Sequence, residues 1–338
     1  MQNGLIMEYY YRTAYRTNTP VSAVIELNTQ CNVDCVHCYL PEHKNKGLKY
    51  EDVIRIVDEA KEIGVSHLLL TGGEIFTRKD ILDIVREIRR RHIRVTLLSN
   101  GTLLNEDIDQ KLSDMYIFQF STTLFSMDKE IHDKITRVPG SWDRLMKSIE
   151  LLQKYNIRVK IKMPIINLNA DSVDGVREFC KKRNIEFNTS PIIFPQNDGN
   201  KEPLTYRLKC NQLVETIKKL DEVDGFTISP VHQRDVPCAA IFYSFAIDCN
   251  GDFYPCNSFM YKVGSIFENS LKHIWYYSEK LNQVKKIKTC HLKECGHCEK
   301  KDFCERCPGL AFAESNDFIS CDSYAKEVAT IRQNGYRM

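Results

Sequence analysis

The chain changes its hydrophobic period several times between positions 21 and 220. Val24-Ile25-Glu26-Leu27 is a short apolar run with the look of a strand. From Glu51 to Ile63 the apolar residues Val53, Val57, Ala60 and Ile63 share one helical face, and Gly64 follows as a stop signal. His67 to Leu70 is again strand-like. Ile81, Leu82, Val85 and Ile88 mark a second helix, and Arg89, Arg90 and Arg91 suit the negative end of its dipole. The alternation continues through Val95 to Leu98, Asn105 to Leu112 and Tyr116 to Ser121. A helix capped by Ser141 carries Leu145, Ile149 and Leu152 on its core side. Val159 to Met163, Val173 to Cys180, Ile185 to Asn188 and a last helix over about Tyr206 to Leu220 complete the series.

Strands that alternate with helices pair in parallel through right-handed crossovers, which makes the class α/β. Six such units are too few for a closed eight-stranded barrel. An open partial barrel and an open sheet both fit, and either places a site at the C-terminal ends of the strands. After Val236 the pattern breaks into short, turn-rich pieces, with helical periodicity only around Leu271 to Val284. The expected organisation is an N-terminal extension over 1–20, an α/β domain over 21–220 and a linker over 221–235. A cysteine-rich module over 236–325 and a tail over 326–338 follow.

Composition adds one anomaly. The 338 residues hold 47 basic and 45 acidic side chains, for a net charge of +2, which argues against a nucleic-acid binder. No basic start, apolar stretch and small-residue cleavage site mark a signal peptide, and no apolar run approaches a membrane span. A cytoplasmic location is expected, where thiols stay reduced. Yet there are 14 cysteines, nine of them between 238 and 321. A chain this long does not need disulfide staples, so the cysteines point to metal binding or catalysis.

Cys31, Cys35 and Cys38 follow the first strand in a Cys-x3-Cys-x2-Cys loop. Three thiolates on one loop can each take a different iron of a cubane cluster and leave the fourth iron open. A zinc site completed by His37 is the alternative. This loop resembles the signature of the radical SAM (S-adenosylmethionine) superfamily. Thr71-Gly72-Gly73-Glu74 at the end of the second strand is similar to the family's glycine-glycine-glutamate motif, with Ile75 where proline is usual. The resemblance implies a partial (β/α)6 barrel of TIM type, a 4Fe-4S cluster that binds SAM, and Gly72, Gly73 and Glu74 around the methionyl amine. It also implies cofactor roles for Asn100, Ser121 and Arg137; Ser121 and Arg137 are also explained as a turn serine and a surface arginine. The chemistry implied is reductive cleavage of SAM to a 5′-deoxyadenosyl radical, which abstracts hydrogen from unactivated carbon.

Cys238, Gly251, Cys256, Cys295, Cys298, Cys304, Cys307 and Cys321 resemble the SPASM domain, an extension that holds two auxiliary iron–sulfur clusters, here expected to be 4Fe-4S. Two residues separate Cys304 from Cys307 where three are usual. By resemblance, Cys295, Cys298, Cys304 and Cys321 hold one cluster. Cys238, Cys256 and Cys307 hold the other, with Cys249 or Cys290 as a possible fourth ligand, or with an open iron. A zinc knot is the competing reading. Cys180 reads as core packing, and Cys210 as a surface thiol or a hydrogen-atom donor.

Enzymes of this architecture usually act on peptides or proteins. The leading expectation is therefore maturation of a ribosomally made peptide by thioether or carbon–carbon cross-linking, or by epimerisation. A tetrapyrrole or small-molecule oxidoreductase is the rival, and a zinc-stabilised binding protein is the remote one. About twenty residues precede the first strand, too few for a leader-binding winged helix. The expected partners are a peptide or protein substrate, possibly with a separate leader-recognition protein, and an electron donor such as flavodoxin or ferredoxin. Nucleic acid and membrane are not expected.

Overall fold

The computed structural model describes residues 2–226 and 236–336, so residues 227–235 of the expected linker lie outside the described residues. Six parallel strands form the α/β half: β1 (Ser22–Glu26), β2 (His67–Thr71), β3 (Arg94–Leu98), β4 (Gln119–Thr123), β5 (Val159–Pro164) and β6 (Glu186–Ser190). The helices between them are α2 (Tyr50–Glu62), α3 (Ile81–Arg90), α4 (Glu106–Asp114), α5 (Lys129–Thr136), α6 (Ser141–Lys154) and α7 (Val173–Lys182). The strands follow one another in space, as right-handed crossovers require. Ile25, Leu68, Leu70, Val95, Leu97, Phe120 and Ile161 are buried between sheet and helices, where they meet Ile56, Ile84, Ile88 and Ile149. This is the α/β domain expected from the alternation.

The junction with the second half is a strand pairing. β7 (Ser244–Ile247) lies parallel to β1 with Ser22 opposite Ser244 and Ile25 opposite Ile247. β8 (Asp252–Tyr254) and β9 (Gly264–Ser265) then add antiparallel, giving one nine-stranded sheet in the order β6-β5-β4-β3-β2-β1-β7-β8-β9. α9 (Leu271–Tyr277) and α10 (Glu279–Lys285) cover this extension, with Trp275 fully buried against Phe245. The periodicity seen from Leu271 to Val284 is therefore two helices, broken at Ser278, which caps the second.

Four helices were not expected. α1 (Gln2–Thr17) occupies the N-terminal extension, held by rings of the second half: Tyr11 lies 5.1 Å from Tyr243 and Tyr15 lies 4.8 Å from Phe242. Tyrosines are modest helix formers, so tertiary packing decides this element. α5 lies between β4 and α6, where the alternation marks no element; the Asp128 side chain caps it. α11 (Pro308–Ser315) follows Cys307, and α12 (Ser323–Gln333) runs through the expected tail. α12 docks on α8 (Cys210–Asp224), the last helix of the α/β half, which begins at Cys210 after a 3-10 turn over Glu202–Tyr206. The docking runs through a buried pair, Arg332 to Asp221 at 2.9 Å, with both side chains under 10% exposed. Tyr336 also donates to Asp221, and the Arg332 guanidinium lies 3.9 Å from the Phe226 ring.

Removing one partner of a buried pair leaves the other charge uncompensated. Arg332→Ala is expected to lower unfolding stability by about 3 kcal/mol. Urea denaturation checks this. A loss near zero would mean that α12 is held by its apolar contacts alone.

Candidate active site and cluster sites

The Cys31–Cys38 loop leaves the C-terminal end of β1 and is tied down on two sides. Asp34 N–H and Val36 N–H donate to Thr136 O and Ile135 O at the end of α5, both at 3.0 Å. Asn32 donates to Thr102 at 2.7 Å, and Asn100 donates to Asn32 at 2.9 Å. The three thiols face one cavity of about 230 Å3 at the C-terminal ends of the strands, where the alternation placed a site. Burial raises all three thiol pKa values: Cys38 to about 11, Cys35 beyond the range of ordinary thiols, and Cys31 in the same direction. The neighbouring cysteines add to the shift at Cys35 and Cys38. Three bare thiolates oppose one another here, which an iron cluster offsets by its positive charge. His43 reaches Cys38 Sγ at 3.4 Å and Asn100 reaches Cys31 Sγ at 3.9 Å, contacts of the kind that orient ligands.

Gly72 and Gly73 line this cavity, and the close approach they permit is first of all to protein. A Cβ on Gly72 would lie 2.2 Å from Asn28 Oδ1, and one on Gly73 would lie 2.1 Å from Thr29 O. Glycine is therefore needed for the end of β2 to pack on the segment leading into the cysteine loop. Glu74 is fully buried beneath the cavity. Its carboxylate accepts from Ser99 Oγ at 2.9 Å, Asn100 N at 2.8 Å and Phe76 N at 2.9 Å, so it orders the end of β3. Burial raises its pKa and these donors oppose the rise.

Ser121 and Asn100 line the cavity as expected. Ser121 Oγ and His37 Nδ1 are buried there with no hydrogen-bond partner, the state of groups that await a ligand. Arg137 is not brought to the cavity. It bonds Asp34 at 3.1 Å on the outer side of the loop and stands 44% exposed. The cation that does line the cavity is Lys162, at the end of β5, where burial and Lys160 lower its pKa. Strand alternation alone did not separate Lys162 from Lys160, which pairs with Glu186 at 2.7 Å. Cys210 is exposed at the start of α8 and is not brought to the cavity either, while Cys180 is buried in the core.

In the second half, Cys295, Cys298, Cys304 and Cys321 line one cavity of about 190 Å3, the grouping expected from the resemblance. Cys238, Cys256 and Cys307 form another group. Burial pushes Cys256 up to about 11, with the charges of Cys238 and Cys307 adding to it. Cys249 stands apart from them: it accepts from Asn45 at 3.7 Å and feels Glu26, Asp248 and Glu42. Cys290 is exposed on a 3-10 turn, and nothing draws it to the three. Cys307 meets Cys256 because Gly309 packs backbone against backbone: a Cβ there would lie 2.1 Å from Ser258 O. Asp322, next to Cys321, accepts from Cys307 N at 3.0 Å and ties the two groups together. Among the described residues no three His, Cys, Asp or Glu side chains are arranged to hold a single metal ion.

The chain matches the Radical SAM superfamily over residues 25–180 and the SPASM iron-sulfur cluster-binding domain over residues 238–308. It belongs to the radical SAM superfamily and carries a C-terminal SPASM domain. Its radical SAM domain binds SAM and a 4Fe-4S cluster, and its SPASM domain binds auxiliary iron–sulfur clusters. Two relatives are similar over most of the chain. The AdoMet-dependent heme synthase of Methanosarcina barkeri is 25% identical over 91% of this chain and 97% of its own. The antilisterial bacteriocin subtilosin biosynthesis protein AlbA of Bacillus subtilis is 26% identical over 91% of this chain and 71% of its own. The fold is shared with SuiB of Streptococcus suis bound to precursor peptide SuiA, at TM-score 0.70 and 17% identity over 93% of this chain and 78% of that one. No helix among the described residues is long and apolar enough to cross a membrane.

A lost charge-assisted hydrogen bond costs about 1.5–3 kcal/mol, so Lys162→Ala is expected to weaken SAM binding roughly 10- to 100-fold in the reconstituted enzyme. Arg137→Ala should leave that affinity within about threefold, as for an exposed ion pair. Equilibrium binding of SAM decides between them; a larger loss at Arg137 would reverse the assignment. Gly309→Ala should lower bound iron by about four per chain, the content of one cubane, as read by iron analysis.

Proposed function

We propose that this enzyme matures a ribosomally made peptide, by forming a thioether or carbon–carbon cross-link or by epimerising a residue. The observation that carries the reading is a cleft of about 450 Å3 between the two halves. It runs from Tyr39, which also lines the SAM cavity, past Gln196 and Asn197 to Asn257, Ser258 and Asn316. Amide and hydroxyl side chains of this kind match the alternating donors and acceptors of a peptide backbone. Among the described residues the lining includes Asp198 and Glu314 and no lysine or arginine, a poor fit to a tetrapyrrole bearing several carboxylates. Similarity to AlbA supports the peptide reading, and similarity to the heme synthase supports the rival.

In this reading the chain's own groups bind and orient. Cys31, Cys35 and Cys38 hold the first cluster, and Ser121, His37 and Lys162 hold SAM. SAM bound there, with one electron from the cluster, would supply the hydrogen-abstracting chemistry. Asn197 N–H donates to Tyr39 O at 2.9 Å, and Tyr39 OH donates to Glu26 at 2.7 Å. These bonds fix the wall between cavity and cleft, so that a residue of the bound segment reaches the cavity without admitting bulk water. Burial raises Glu26 to about 7 despite that hydrogen bond, and nearby Asp248 adds to the rise.

Anaerobic incubation with SAM, dithionite and peptides encoded by neighbouring genes tests the reading. A peptide lighter by two hydrogens shows cross-linking, and deuterium uptake at one α-carbon without other mass change shows epimerisation. Conversion of a porphyrin with every such peptide left intact would sink the proposal.

A further inference from the structure

Arg137 does not reach the SAM cavity, yet its backbone is specially placed. It ends α5 in the left-handed region, at φ 57, which is uncommon for a residue other than glycine. From there its guanidinium bonds Asp34 at 3.1 Å and meets Glu202 at 3.8 Å. Asp34 lies inside the first cysteine loop, between Cys31 and Cys35, and its N–H donates to Thr136 O, the residue before Arg137. Asp34 Oδ1 faces His43 Nδ1 at 3.6 Å. On the other side of the same ring, Nε2 stands 3.4 Å from Cys38 Sγ. A line of charged and polar groups thus runs from Arg137 through Asp34 and His43 to a cluster ligand. His43 is 21% exposed and lines the SAM cavity. It is held by its neighbours, since Glu42 accepts from Thr29 Oγ1 and from Lys44 N.

A thiolate bound to iron has only lone pairs to offer, so His43 Nε2–H is the donor in the contact with Cys38. The contact with Asp34 is too long for a direct hydrogen bond. The carboxylate acts instead through its charge, which is felt at Cys35 and Cys38 as well. We propose that His43, set between Asp34 and Cys38, is a positioning residue that raises the reduction potential of the 4Fe-4S cluster held by Cys31, Cys35 and Cys38. One added electron increases the negative charge on the thiolates, and an N–H aimed at one of them stabilises that state more than the oxidised one. Asp34 pulls the other way, and Arg137 covers part of its charge. The electron is the one that SAM cleavage already requires, and no covalent bond of the chain changes. None of this depends on the substrate being a peptide.

The test is a reductive titration of the reconstituted holoenzyme at one fixed pH, with dithionite and redox mediators, read by electron paramagnetic resonance. The signal of the first cluster is the one that changes when SAM is added. His43→Phe keeps a ring of similar bulk but no donor. It should shift the equilibrium about tenfold toward the oxidised cluster, a midpoint lower by about 59 mV for one electron. His43→Gln restores an N–H and should return the equilibrium to within about threefold of wild type. Asp34→Asn leaves His43 and the thiols in place and should shift it about threefold toward the reduced cluster. Iron analysis shows whether each variant is fully loaded. A fully loaded His43→Phe enzyme with the wild-type midpoint overturns the proposal and leaves His43 a structural residue. Where His43→Phe holds too little iron to titrate, Asp34→Asn decides: a raised midpoint supports the proposal, and an unchanged or lowered one overturns it.

Discussion

The parallel pairing of β1 with β7 is the constraint on which the arrangement of sites depends. β1 ends where the first cysteine loop begins, and β7 ends at the turn holding Asp248 and Cys249. Because the two strands run in register, both loops emerge on the same edge of one sheet. The first cysteine loop is thereby pressed against the second half: Asn45 donates to Asn250 at 3.2 Å and to Cys249. A hinge between the halves would break the β1–β7 backbone ladder and these side-chain bonds, and would expose β1 as an edge strand. The separation between the SAM cavity and the auxiliary sites is thus fixed by a hydrogen-bond ladder.

Within that frame, close backbone contact does much of the positioning. Gly73 against Thr29 and Gly309 against Ser258 each allow an approach that a single methyl group would block. One brings the end of β2 to the first cysteine loop; the other brings Cys307 to Cys256. Polar side chains then lock the loops: Glu74 holds the end of β3, and Asp322 joins Cys307 to the start of α12, where it accepts from Ala325 N at 2.9 Å. The thiols stay free for iron because other groups carry the fold.

Much of this was legible in the sequence. Strands read as Val24–Leu27, His67–Leu70 and Val95–Leu98 stand within two residues of their observed bounds, because buried parallel strands are continuous apolar runs bounded by clear breaks. The cysteine grouping was legible only through the resemblance to the SPASM domain, because Cys238 and Cys307 lie far apart in the chain while neighbouring Cys304 and Cys307 fall in different groups. What was not legible rests on tertiary contact. α1 and α12 have weak local signals and are helices because they dock on Phe242 and Tyr243, and on Asp221. The β1–β7 pairing joins positions more than 200 residues apart, and no local period records it. Arg137 and Lys162 look equally suitable as cations in the sequence; only strand direction and loop placement turn one to the cavity and the other to Asp34.

Cys304 and Cys307 belong to different groups, yet only Glu305 and Arg306 separate them. A four-residue span anchored at both ends by thiols has almost no slack. A cluster held by one group would restrict the conformations open to the thiol of the other, so a second insertion would lose less chain entropy than the first. Loading of the C-terminal half would then be cooperative, with a chain tending toward both clusters or neither.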